Sequence, residues 1–84
     1  MDLREIEQRL EKVLRSRPWP LPQQQITDMI ELVQAGEPGV ALENFCTQLE
    51  EYDVPIPPEV LHELRILASA MGLHPRQLSD NSHC

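Results

Sequence analysis

The sequence predicts an all-α fold, a compact four-helix bundle with short connections. Three observations carry that expectation. Apolar residues recur at helical spacing in four successive segments. Prolines and glycines fall mainly between those segments. No stretch shows the period-two alternation of a half-buried strand. A chain of 84 residues makes one domain, 1–84, too small for a deep catalytic cleft. Trp19, Tyr52 and Phe45 are its only aromatic residues, so the core is expected to be aliphatic.

Helix 1 is expected over about residues 2–16, where Leu3, Ile6, Leu10 and Val13 form one apolar stripe. Glu5 stands four residues before Arg9, and Glu11 four before Arg15, the favourable orientation for pairs on the solvent side. Arg17-Pro18-Trp19-Pro20-Leu21-Pro22 ends the helix, because alternating prolines force an extended path. Trp19 is expected as a lid on the core rather than as a partner anchor. Helix 2 is expected over 23–35, with Ile26, Met29, Ile30 and Val33 inward and Gly36 as its stop.

Helix 3 is expected over 38–53, with Pro38 in its first turn and Glu37 at the positive end of the helix dipole. At 100° per residue, Ala41, Leu42, Phe45, Cys46, Leu49 and Tyr52 share its apolar face; Glu43, Thr47, Glu50 and Glu51 take the other. Asp53 then falls at the helix C-terminus, where the dipole disfavours an anion. That local cost hints at a use for the charge. Val54-Pro55-Ile56-Pro57-Pro58 is the third connection. Helix 4 is expected over 58–71, with a core stripe of Val60, Leu61, Leu64, Leu67, Ala68 and Met71 and a stop at Gly72. Glu59, His62 and Ile66 lie on its opposite side, where an exposed Ile66 beside acidic residues marks a contact patch. The tail, 73–84, is expected to make one short turn from Pro75 and then to fray.

The distribution of charge is the most informative feature. The formal net charge is −7. Residues 1–17 hold five basic and four acidic side chains. Residues 18–64 hold nine acidic side chains and no Lys or Arg. Such a surface repels phosphate, so neither nucleic acid nor an anionic membrane is an expected partner. No apolar run reaches the length of a membrane span, and the first residues lack the apolar core of a signal peptide, so a cytoplasmic protein is expected. A cationic partner would turn the self-repulsion into attraction; a solvated face that only aids solubility is the plainer reading. Glu50-Glu51-Tyr52-Asp53 is the sharpest cluster, three carboxylates around an aromatic ring suited to an interface.

Catalytic and metal chemistry find no support in the sequence. It contains no H-E-x-x-H, C-x-x-C, G-x-S-x-G or phosphate-binding glycine loop. Cys46 lies on an apolar helix face and reads as a small core residue. His62, His74 and His83 have no ligand spacing to one another, and Cys46 and Cys84 make no disulfide framework. No catalytic residue, metal site or cofactor is expected.

The segment from Glu31-Leu32-Val33-Gln34-Ala35-Gly36-Glu37-Pro38-Gly39-Val40-Ala41-Leu42-Glu43, through Cys46 and Leu49, to Glu50-Glu51-Tyr52-Asp53-Val54-Pro55-Ile56 resembles the MafI family of bacterial immunity proteins. The resemblance extends over about residues 26–75 and is strongest at 35–56; Leu64 and Met71-Gly72-Leu73 continue it. It implies a small helical inhibitor whose partner is a cognate toxin domain, the toxic C-terminal part of a polymorphic secreted toxin. Gly36, Ala41, Leu42 and Leu49 match positions that read as determining the fold. Charge and exposure, not the resemblance, select the expected partner-binding set: Glu43, Glu50, Glu51, Tyr52, Asp53, Glu59 and Ile66. The expected toxin is basic, as a nuclease is. The alternative is a non-inhibitory helical adaptor or regulatory subunit that docks a basic protein.

Overall fold

The computed structural model describes residues 1–75 and Leu78. It is an all-α four-helix bundle: α1 (Leu3–Arg15), α2 (Gln23–Gln34), α3 (Pro38–Glu51) and α4 (Pro58–Ala70). The ends follow local chemistry. Asp2 caps α1, its carboxylate accepting the Glu5 N–H at 2.8 Å. Pro38 and Pro58 are the first residues of α3 and α4, where a missing N–H costs nothing. Gly36 and Gly72 follow α2 and α4 with φ of 84° and 71°, a left-handed conformation that glycine adopts without a Cβ clash. The Leu78 N–H donates to the Pro75 carbonyl at 3.0 Å, where the sequence leads one to expect a short turn from Pro75. The fraying expected over 80–84 lies outside the described residues.

The core is aliphatic around one ring. Leu10 and Leu14 of α1, Met29 of α2, Leu42 and Leu49 of α3, and Leu64 and Leu67 of α4 are fully buried with Phe45. Trp19 closes one end as a lid, 7% exposed, with its ring edge-on to Phe45 at 5.2 Å. Its indole N–H donates to the Val13 carbonyl at 3.1 Å, which also accepts the Ser16 N–H and hydroxyl. One orphan carbonyl at the end of α1 is thereby triply satisfied.

Helix α1 runs antiparallel to α4, joined by two ion pairs. Arg9 donates from Nε and a terminal nitrogen to both oxygens of Glu63, at 2.7 and 2.6 Å. Arg17, beyond the end of α1, lies 3.6 Å from Glu59. The expected pairs within α1 also form, Arg9 with Glu5 at 3.4 Å and Arg15 with Glu11 at 2.8 Å.

Two residues assigned to core stripes lie outside the core. Leu3 shares the helical spacing of Ile6, Leu10 and Val13 but, one turn before Ile6 at the start of α1, stays 54% exposed. Tyr52 is likewise on the core side of α3 by its angular position, yet the helix ends at Glu51 and the ring is 51% exposed. Leu61 and Met71 are half-buried at the core margin.

Candidate partner-binding face

Alanine, leucine, phenylalanine and cysteine side chains tie the inner side of α3 into the bundle, which leaves its outer side to water. Val40, Glu43, Asn44, Thr47 and Glu51 recur at i, i+3, i+4, i+7 and i+11, and all five are exposed. Glu50 flanks this stripe and is also exposed. No residue of α3, or of the connections on either side of it, is Lys or Arg. Three of the expected partner-binding residues, Glu43, Glu50 and Glu51, therefore share one helix, and Tyr52 and Asp53 follow them directly.

The end of this helix has an unusual chemistry. The Val54 N–H donates to the Leu49 carbonyl at 2.8 Å and the Asp53 N–H to the Glu50 carbonyl at 3.1 Å, the two bonds of a Schellman cap. Helices α2 and α4 close with the same pair of bonds, centred on Gly36 and Gly72. In α3 the left-handed position is held by Asp53, φ 55°. Aspartate tolerates this region better than most residues but still carries a Cβ penalty, and its charge opposes the negative end of the helix dipole.

The remaining two expected residues lie elsewhere. Glu59 opens α4 and is engaged by Arg17. Ile66 is half-buried on α4 rather than exposed. Neither joins the α3 stripe. The acidic block is also smaller than a sequence tally gives: Glu63 faces Arg9 of α1 and Glu59 faces Arg17 just beyond that helix, and the Arg9 hydrogen bonds hold the Glu63 carboxyl below the ordinary carboxylate range. Sequence separations of 42 and 54 residues hide these pairs. Val40, 44% exposed at the head of the stripe, is the surface residue that periodicity left unassigned.

Cys46 is buried among the core side chains and its thiol is pushed up to about 12, by loss of solvation first and by the Glu43 charge second. At neutral pH it stays a thiol, chemically quiet. A concavity of about 630 Å³ beside Arg65, Leu73, His74 and Pro75 takes no residue of the α3 face. Among the described residues, no three His, Cys, Asp or Glu side chains converge as metal ligands, and no helix is long and apolar enough to cross a membrane. No protein-family model, curated protein or solved structure matches the chain.

Proposed function

We propose that this chain is an immunity protein of the MafI type, which binds a cognate bacterial toxin domain with a cationic surface, such as a nuclease, and neutralises it. One observation carries the reading most directly. The block 18–64 holds nine carboxylates and no Lys or Arg, and the two on α4 are met by Arg9 of α1 and by Arg17 just beyond it. What remains is an acidic surface on α2, α3 and the residues flanking α3, and the segment that resembles the family most closely, 35–56, overlaps it.

Inhibition of this kind needs no chemistry from the inhibitor. A nuclease binds phosphates through a cationic cleft, and carboxylates placed on or beside that cleft exclude the substrate by charge and by volume. Asp and Glu side chains receive Arg in bidentate geometry and Lys as a point charge. Electrostatic steering raises association toward roughly 10⁸ M⁻¹s⁻¹, which matters when free toxin harms the cell that makes it. A standard interface takes about 800 Å² from each partner, about a seventh of the 5272 Å² surface here. The site of action is the cytoplasm, where an unneutralised toxin would act.

The test is co-expression with the protein encoded immediately upstream. Growth rescue together with a co-purifying complex is the expected outcome. A complex without rescue would instead favour a docking adaptor, and neither rescue nor complex would remove the reading.

A further inference from the structure

We draw no further inference here: the strongest candidate, the concavity of about 630 Å³ between α4 and the residues that follow it, lined by Arg65, Ala68, Leu73, His74 and Leu78, carries nothing because Arg65 is already engaged with the Leu78 carbonyl at 2.7 Å and nothing in the structure shows what covers the concavity.

Discussion

The two proline-rich connections, 16–22 and 52–57, start from the same plan and end in opposite roles. Each follows a helix C-terminus and each carries one aromatic residue among its prolines. Trp19 turns inward onto Phe45; Tyr52 stays half in water. The cause is what waits for each ring. Trp19 finds an orphan carbonyl at Val13 for its N–H, a core ring for its edge, and the Arg17 guanidinium 5.2 Å from its ring centre. Tyr52 lies past the last core layer beside Glu50, Glu51 and Asp53. The first connection closes the fold, and the second displays a surface.

The strongest test of that contrast is to remove the lid. Trp19→Ala should cost about 3–5 kcal/mol, since a buried ring, its edge contact and its hydrogen bond all go. In so small a domain that is most of the stability, and the urea midpoint read by circular dichroism should collapse. Trp19→Phe keeps a ring but loses one hydrogen bond to a carbonyl that two other donors still satisfy, at about 1 kcal/mol. An unchanged midpoint in the alanine variant would contradict the lid assignment.

Next in size is Asp53→Gly. The protein itself contains the controls, because Gly36 and Gly72 hold the equivalent position in caps with the same two hydrogen bonds. Glycine relieves the left-handed strain and removes an anion from the negative end of α3, a gain of about 1 kcal/mol. The same variant should bind the upstream protein more weakly. A protein made more stable and less able to bind is the signature of a residue retained for recognition rather than for folding. Loss of stability would show instead that the carboxylate supports the fold.

A smaller effect separates the compensated carboxylates from the displayed ones. The Glu63 carboxyl is held down by its Arg9 hydrogen bonds, so its contribution to stability is present above the unfolded carboxylate range and is lost as pH falls through the depressed folded value. The unaltered chain should therefore lose more stability between pH 6 and 3 than Glu63→Gln does. Urea titrations at several pH values give both slopes. Equal slopes would mean that the bidentate pair contributes nothing in solution.

Most of the fold was legible because its punctuation is local. Pro38 and Pro58 mark helix starts, Gly36 and Gly72 mark helix stops, and all four helices fall within two residues of their expected bounds. The two core-stripe residues that lie outside the core share one cause. Periodicity reports which direction a side chain points, not how far along its axis the core extends, so Leu3 and Tyr52 were placed in stripes whose outermost layers do not exist. The acidic cluster at Glu50, Glu51 and Asp53 was legible as a run of charge. The capture of Glu59 and Glu63 by Arg17 and Arg9 was not, since it depends on α1 packing antiparallel against α4. Val40 is invisible to periodicity for the converse reason: a single apolar residue on a polar stripe carries no period.

The smallest expected change is the most telling for the comparison. Tyr52→Ala should leave stability within about 0.5 kcal/mol, as substitutions at exposed sites do. The ring is half in water, and the two bonds of the cap at this helix end run between backbone groups. A midpoint in urea equal to that of the unaltered chain, set beside the collapse of Trp19→Ala, would place the two aromatic residues at opposite ends of one scale. A loss of 2 kcal/mol or more, the size of a buried truncation, would instead make Tyr52 a second lid. The second connection would then close the fold as the first does.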